Sequence, residues 1–217
     1  ALSYFQRYLE HARSREDAAA RGAALTNIGL IHYDMGRMDL ALRTLNEALA
    51  LHSSRNDSSA MALTLRNLGL VLRREQNFES AVQFIKRAIA ESLKAGKSCD
   101  QDLVSLGLTY ADQGLLQNAV FCFFAAIYYS RMGEDLLGEK EALVRLAECI
   151  ISNNMQYFDF DDLNVRELQE LLNLLGGFDV AVDGIWGPST LEMMVRFLPD
   201  SFTDFAIDML KRGTGAA

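Results

Sequence analysis

The sequence contains no run of about 18 apolar residues, the length that a helix needs to cross a bilayer, so it predicts no membrane span. It also lacks an excess of basic residues. The net charge of −8 and the pI near 4.9 argue against a nucleic-acid-binding protein, which normally carries a basic face. With 217 residues and 50% apolar composition, the chain is long enough for one large domain or two modest ones.

Catalytic and metal-binding patterns are also missing. The sequence has no HExxH, GxSxG, P-loop or dinucleotide-binding motif, and its histidines pair with no nucleophile motif. Cys99, Cys122 and Cys149 are odd in number, widely separated and without metal-ligand spacing, so they predict buried, inert thiols and no disulfide framework. We therefore predict a non-catalytic protein that needs no metal and no other cofactor.

The sequence does contain a repeat. Gly29, Gly69, Gly107 and Ala147 follow one another at intervals of 40, 38 and 40 residues. Each lies in an apolar pattern of helical spacing, and the complete copies continue through a short polar link into a second helical pattern. A fixed period of this size predicts an array of similar helical pairs.

The small residues of the repeat indicate how the two helices of a pair pack. A glycine inside a helix costs about 1 kcal/mol relative to alanine, so its return at one phase predicts a close approach between helices. The second helix of each pair carries alanines on either side of one larger apolar residue, which is Leu45, Ile85 or Phe123. These three side chains are predicted to be the residues with which the second helix packs, like knobs between its small residues.

This pattern resembles the tetratricopeptide repeat, whose signature runs W-x2-L-G-x2-Y, then A-x3-F, then P. The Leu-Gly pair, the tyrosine or its replacement, the alanine and the large apolar residue are present, whereas the closing proline is absent. The position of the tryptophan is taken by Leu25, Leu65, Leu103 and Leu143. The period near 40 is similar to that of the longer repeats of the kinesin-light-chain kind. The resemblance covers about residues 1–152 and implies a solenoid whose first helices line a peptide-binding groove.

The two ends of this array differ from the complete copies. Ala1, Phe5 and Tyr8 precede the equivalent residues of the first complete pair by 40 residues, so the sequence is expected to begin at the second helix of a repeat. Between the repeats lie polar loops, in one of which Asp57 or Ser58 is available as a helix N-cap. At the other end, Ser152 and the two asparagines after it are expected to end the last helix. An acidic, aromatic linker follows.

A second informative stretch begins at Val165. Apolar residues at helical spacing predict a short helix that ends at Gly176-Gly177, followed by an Asp-Gly turn and a Gly-Pro entry into another helix. The stretch resembles the small three-helix peptidoglycan-binding domain of bacterial cell-wall hydrolases. Its matching residues are Val165, Leu168-Gln169, Leu172, Gly176, Asp183-Gly184-Ile185-Trp186-Gly187 and Thr190. In place of the aromatic-Gln pair of the family, this chain has Phe197-Leu198.

Together these patterns predict an all-α protein. A tetratricopeptide-type solenoid of helical pairs is expected in residues 1–152, a linker in 153–164, and a small three-helix domain in 165–217. The second resemblance implies that peptidoglycan contacts Gln169, Asp183, Gly184, Trp186 and Thr190. An alternative interpretation is that Asp183 and Trp186 only stabilise the turn and its core. The missing glutamine predicts weak binding at a shallow surface.

The first resemblance implies a site for a partner protein or peptide. Asn27 and Asn67 stand one place before the Leu-Gly pair or its equivalent, where an asparagine amide can both donate to and accept from a peptide backbone. By phase, the same groove is expected to contain Tyr33, Arg66, Arg73, Arg74 and Arg145. Arginines on the inside of an otherwise acidic protein favour an acidic peptide. The alternative is that Arg73 and Arg74 form an exposed helix end near a favourable dipole.

Two functions are compatible with these patterns. The first is a bacterial envelope or periplasmic adaptor that holds a partner protein in the groove and contacts peptidoglycan through its C-terminal domain. The second is a cytoplasmic scaffold or regulatory module whose C-terminal domain makes protein contacts. Three unpaired cysteines favour the cytoplasm, whereas the peptidoglycan resemblance favours the envelope. An enzyme would require a catalytic domain upstream of this sequence.

Overall fold

The structure is a computed structural model that describes residues 1–153 and 164–176. All regular structure within these ranges is helical. Its nine helices are α1 (Leu2–Ser14), α2 (Ala18–Asp34), α3 (Met38–Ser54), α4 (Ser58–Arg74), α5 (Phe78–Lys94), α6 (Asp100–Asp112), α7 (Leu116–Met132), α8 (Leu136–Ser152) and α9 (Val165–Gly176). The chain divides into two compact units, Ala1–Lys97 and Ser98–Ala217. Helices α1–α5 belong to the first unit and α6–α9 to the second.

The turns that connect the helices from α1 to α8 share one backbone feature. Each contains a residue with positive φ, and these residues are Glu16, Gly36, Asn56, Gln76, Gly96, Gly114 and Glu134. A left-handed residue ends a helix because it lets the following amide bond back to a carbonyl of the last turn. In the first complete pair, the Arg37 amide donates to the His32 carbonyl at 2.8 Å. A 17-residue helix and a three-residue link thus make up half of the 40-residue period.

Side-chain caps define several of the helix starts. Of the two candidates, Asp57 is the N-cap, and its carboxylate accepts from the Ala60 amide at 3.0 Å. Asp17 caps α2 in the same way, because it precedes that helix at the same phase. The short polar links predicted within the complete pairs are confirmed and include Gly36 and Gly114, and α8 ends at Ser152 as expected.

The predicted close approach of the paired helices is confirmed, and the structure shows that the glycines lie against the large residues of the second helices. A Cβ atom placed on Gly29 would lie 2.6 Å from Leu45 Cγ, and one on Gly107 would lie 2.7 Å from Phe123 Cε1. At Gly69 the corresponding contact is with Ile85 and is tighter still. No alanine fits at these positions without displacing a fully buried side chain, so glycine sets the distance between the paired helices.

In the first unit, α3 is the helix that connects the two complete pairs. Helix α3 pairs with α2 and also packs on α4, where Leu45 forms a cluster with Leu68 and Val71. Helix α1 packs on α2, where Leu9 contacts a cluster that includes Leu25. Adjacent pairs therefore share one continuous apolar interior within this unit.

Helix α7 differs from the other second helices in its outer face. The equivalent positions of α5, which lies 38 residues earlier, hold polar residues and include Gln83 and Arg87. In α7 the outer positions hold Phe121, Phe124 and Ala125, all of which are buried. A helix that is apolar on all sides must be covered on all sides. Helix α7 accordingly contacts three helices, which are α6, α8 and α9.

Helix α9 lies alongside α7 and runs parallel to it. Near the start of both helices, Asn118 donates to the Asn164 carbonyl at 3.2 Å and accepts from the Asn164 amide at 3.0 Å. Near their ends, the Tyr129 hydroxyl donates to the Leu175 carbonyl at 2.9 Å. Burial raises the pKa of Tyr129 to about 12, so this hydroxyl keeps its proton as a donor at neutral pH.

Helix α9 also contacts α6. The buried Tyr110 hydroxyl donates to the Glu167 carboxylate at 2.7 Å. Burial is the largest of the effects that raise the pKa of Tyr110. The first helix of the predicted C-terminal domain thus packs against the repeat helices of the second unit. The predicted domain boundary at residue 165 stays a prediction, and the rest of that domain lies outside the described residues.

The three cysteines and one of the histidines, His52, are buried. Cys99, Cys122 and Cys149 are free and buried, which confirms the predicted buried thiols. His52 is buried beside Gly22, where a Cβ atom would lie 2.5 Å from the imidazole ring. Its Nε2 lies 3.4 Å from the Thr26 hydroxyl. Burial, the largest effect, lowers the pKa of His52, so this imidazole is neutral in the folded protein at neutral pH.

We expect Gly69→Ala to lower the free energy of unfolding. Overpacking of a core costs about 1–3 kcal/mol, and the helix preference of alanine offsets ~1 kcal/mol of that. The steric effect is expected to dominate because Ile85 is fully buried and has no space into which to move. Urea unfolding followed by circular dichroism measures the difference. Gly133→Ala is the control, since this exposed glycine would place its Cβ no closer than 3.4 Å to another atom. Equal stabilities of the two variants would contradict the close approach.

The buried imidazole predicts a pH dependence of stability. The unfolded state binds a proton near the ordinary histidine pKa of about 6.5, whereas the folded state binds it only at lower pH. Above pH 6.5, His52 therefore does not affect the free energy of unfolding. Below pH 6.5, the free energy of unfolding falls as the pH drops toward the pKa of His52 in the folded state. The loss between pH 8 and pH 5 should be smaller in His52→Gln than in the parent protein. In His11→Gln, which alters an exposed histidine, the loss should match that of the parent.

Candidate functional site

The residues predicted to line a groove fall in both units. Asn27 and Tyr33 lie on α2, and Arg66, Asn67, Arg73 and Arg74 lie on α4, all in the first unit. Arg145 lies on α8 in the second unit and is treated separately below. Because α2 and α4 are in contact, the first six residues belong to one pair of neighbouring helices.

Tyr33 and Arg74 are brought together at the C-terminal ends of α2 and α4. The Arg74 guanidinium carbon lies 5.1 Å from the centre of the Tyr33 ring, within the range of a cation–π contact. One guanidinium nitrogen, Nη1, also donates to the Tyr33 carbonyl at 3.2 Å. This carbonyl belongs to the last turn of α2, where a positive charge is favoured by the helix dipole. The exposed Arg74 is thus held in place against α2.

The two asparagines occupy the same phase of successive repeats but differ in environment. Asn27 is half-buried, and its Nδ2 donates to the Ala23 carbonyl one turn earlier at 2.9 Å. Asn67 is 4% exposed, and its Nδ2 has no acceptor in the described part of the chain. A buried donor without an acceptor is costly, and this one becomes available to a ligand only if the side chains that enclose it move.

One face of α4 combines arginine with leucine. Leu63, Arg66, Leu70 and Arg73 follow at intervals of three, four and three residues, which places them on one side of a helix. Leu63 is 42% exposed, and the other three are half-buried. Arg66 and Arg73 both make contacts within the protein. Leu63 and Leu70 were not predicted from the sequence as part of this face, although their helical spacing from the arginines would have indicated it.

The charge of α4 is opposite to that of the whole chain. This helix carries three arginines and no acidic residue, while the protein has a net charge of −8. Two of the arginines stand in its last turn, near the negative end of the helix dipole. The face of α4 defined by Leu63, Arg66, Leu70 and Arg73, together with Arg74 and Tyr33, is called the α4 surface below.

Arg145 has a local partner. Its Nη1 donates to the Glu148 carboxylate at 2.9 Å, three residues further along α8, and both side chains are partly exposed. An exposed pair of this kind contributes little to stability. Its Nε is buried and has no acceptor among the described residues.

The residues predicted to contact peptidoglycan are mostly beyond what the structure describes. Asp183, Gly184, Trp186 and Thr190 lie outside the described residues. Gln169 lies on α9, where it is 1% exposed and makes contacts within the protein. Its part in ligand binding stays a prediction.

Two kinds of feature are absent from the described residues. In residues 1–153 and 164–176, no three side chains of histidine, cysteine, aspartate or glutamate are grouped so that they could hold a metal ion. None of the helices described is long and apolar enough to cross a membrane.

Comparisons with known proteins agree with this geometry. The family model of the tetratricopeptide repeat matches residues 20–91, which include most of α2 and all of α3 and α4. Among solved structures, the chain is similar to the crystal structure of BtubC (BKLC) from P. vanneervenii. The match has 15% identity and a TM-score of 0.61, and it covers 97% of this chain and 88% of that one. No curated protein matches the sequence.

These findings define the class of protein. The fold is an all-α solenoid of tetratricopeptide-type helical pairs, as the repeat predicted. At 15% identity the structural match supports the fold alone. Repeats of this kind are in general protein-interaction modules, and the α4 surface lies within the segment that the family model matches.

Proposed function

We propose that this protein is a non-catalytic interaction module that binds an acidic peptide segment of a partner protein on the α4 surface. The main support is the contact between Arg74 and Tyr33, which joins the cationic end of α4 to the end of α2. The ligand then meets two neighbouring helices and not one isolated row of charges.

Charge and shape favour an acidic ligand with some apolar side chains. Arginine presents a planar array of donors that suits carboxylates, and Arg66, Arg73 and Arg74 are spread along more than two turns of α4. Leu63 offers an apolar contact next to these charges. Such a local positive surface steers acidic segments toward α4. The rest of the protein repels them, because the net charge of the whole chain is −8.

The backbone of the ligand has its own predicted contact. The unpartnered Nδ2 of Asn67 is a donor that lacks an acceptor, and a peptide carbonyl would supply one. Asn27 is a weaker candidate, because its Nδ2 already donates to the Ala23 carbonyl. The Nδ2 of Asn67 is enclosed in the protein alone, so this contact requires that the side chains around it move when the peptide binds.

The proposal is tested with a peptide array in which acidic sequences are paired with their Asn and Gln counterparts. The parent protein should retain the acidic members preferentially, and less so as salt is raised, since exposed charges are screened. The variant Arg66→Ala, Arg73→Ala, Arg74→Ala should lose most of this preference.

A matched control removes the same charge elsewhere. Arg15→Ala, Arg43→Ala, Arg87→Ala also removes three positive charges, from exposed positions outside the α4 surface. This control variant should keep the preference for acidic peptides. Equal retention of acidic and neutral peptides by the parent protein, or equal loss in both triple variants, would rule out the α4 surface as the site.

The C-terminal segment carries a second proposal, that it binds peptidoglycan. The support is the sequence Asp183-Gly184-Ile185-Trp186-Gly187 with Thr190, which resembles the turn of a peptidoglycan-binding domain. Gln169 is not expected to take part while α9 is packed against α6 and α7, because it is buried there. With this function the protein would connect a partner protein to the cell wall.

This second proposal predicts that the full chain co-sediments weakly with purified bacterial sacculi. Trp186 is the only tryptophan, so soluble cell-wall fragments should also change the fluorescence of the protein. Asp183→Asn should reduce sedimentation, whereas the triple alanine variant of α4 should sediment like the parent. If the parent stays in the supernatant and its fluorescence does not respond, the scaffold function without cell-wall binding is the better description.

A further inference from the structure

Gly138, in the first turn of α8, has surroundings unlike those of the repeat glycines. The repeat glycines each lie against one apolar side chain of the facing helix. A Cβ atom placed on Gly138 would instead lie 2.5 Å from Asp100 Oδ2, 2.8 Å from Asp135 Oδ2 and 2.9 Å from the Ser130 hydroxyl oxygen. Oxygen atoms of three different side chains therefore surround one point.

The three side chains come from three helices of the second unit. Asp100 is the first residue of α6, Ser130 lies in the last turn of α7, and Asp135 directly precedes α8. They form no short motif, which is why no metal site was predicted from the sequence. The cluster has two carboxylates and a hydroxyl, so it is not a group of three acidic, histidine or cysteine side chains.

Each carboxylate uses only one of its oxygens within the protein. Asp100 Oδ1 accepts from the Ser98 hydroxyl. Asp135 Oδ1 accepts from the amides of Leu137 at 3.1 Å and Gly138 at 3.0 Å. Among the described residues, neither carboxylate makes a further hydrogen bond or an ion pair. The second oxygen of each carboxylate, Oδ2, is left facing the space beside Gly138.

The hydroxyl of Ser130 also lacks a partner. Ser130 is 0% exposed, and its Oγ makes no hydrogen bond within the described part of the chain. A buried polar group without a partner is costly, and a serine oxygen has lone pairs that it can offer to a cation. Because this oxygen borders the same space as the two carboxylates, one ligand could satisfy all three.

The cluster carries an excess of negative charge. Asp100 is 5% exposed, and a buried carboxylate is normally paired with a cation or coordinated to a metal. The N-terminal dipoles of α6 and α8 each offset about half a charge, whereas the C-terminal end of α7 adds about half a negative charge. The nearby Arg131 offsets little more, because it pairs with Glu139 at 2.7 Å.

The cluster can be reached from solvent. Ser130 and Asp135 lie at the wall of a surface depression that is also lined by Glu134 and Glu139. Acidic side chains around an entrance raise the local concentration of cations. A small ion could thus arrive from this side without unfolding of the helices.

We propose that a Ca²⁺ ion binds beside Gly138 between Asp100, Ser130 and Asp135 and joins α6, α7 and α8. Calcium takes hard oxygen ligands at about 2.3–2.6 Å and tolerates irregular geometry, whereas Mg²⁺ demands a near-ideal octahedron. Waters would complete a coordination of about six to eight. With two protein carboxylates, the dissociation constant is expected at about 10⁻⁴–10⁻³ M. The site is separate from the α4 surface and from the turn with Trp186.

The first test measures binding and stability of the full chain after treatment with a chelator and its removal. Titration calorimetry with CaCl₂ at constant ionic strength should give one saturable site. Thermal unfolding should shift upward by about 3 °C or more when Ca²⁺ is at ten times the dissociation constant. Mg²⁺ at the same concentration should give a smaller shift.

Matched variants show whether the ion binds at this place. Asp100→Asn and Asp135→Asn should each weaken Ca²⁺ binding about tenfold or more, while asparagine keeps the shape and remains a good N-cap before α8. Asp17→Asn makes the same change at the equivalent cap of α2 and should bind Ca²⁺ like the parent. Without Ca²⁺, Asp100→Asn should unfold at or above the temperature of the parent, because a like charge is removed.

A paramagnetic ion gives an independent measurement of position. Mn²⁺ at substoichiometric concentration should broaden the amide signals of Ser130 and Gly138 before those of α2 and α4, and Ca²⁺ should restore them.

Three results would overturn the proposal. Ca²⁺ up to about 10 mM, well above the expected dissociation constant, could give neither binding heat nor a thermal shift. The response could be the same in Asp17→Asn and in Asp100→Asn, which would indicate general attraction to an acidic protein. NaCl of equal ionic strength could also produce the whole thermal shift.

Discussion

The contact between a large apolar side chain and a glycine on the facing helix determines the spacing within each complete pair. Because Gly69 lacks a Cβ atom, Ile85 can lie against the backbone of α4, and both helices bury their adjoining alanines and leucines. The same contact sets the rotation of each first helix about its own axis. In α4 it turns Leu65 and Gly69 inward, and it thereby places Arg66 and Arg73 at the surface. The α4 surface thus follows from a packing constraint on the other side of the helix.

The third complete pair keeps this contact and changes its outer face. Phe121, Phe124 and Ala125 take positions where α5 has polar side chains, so α7 requires a cover that α5 does not. Helix α9 supplies it, with hydrogen bonds at both ends that also set its direction. Helix α9, the last helix described, is thereby packed against both α6 and α7.

The proposed functions use different parts of the same chain, and their chemistry differs accordingly. The α4 surface is cationic on an acidic protein and makes its selection by charge. Binding of an acidic peptide on this surface is expected to be sensitive to salt, because exposed charges are screened. The proposed contact with peptidoglycan uses a different part of the chain, the turn with Asp183 and Trp186. The two proposed modes of binding can thus operate independently.

The sequence by itself determined the array of helical pairs, the glycine contacts, the polar links and the burial of the cysteines. These features are local or repeat at a fixed period, so Gly29, Gly69 and Gly107 each report on the same packing problem. Only the tertiary structure decided which of two equivalent asparagines is buried without an acceptor, and that Arg74 lies against Tyr33. It alone also placed α9 beside α7, where Asn118 of the third repeat contacts Asn164, which lies 46 residues later and beyond the repeats. Such contacts depend on side chains that meet once, between helices of different sequence, and a periodic pattern carries no information about them.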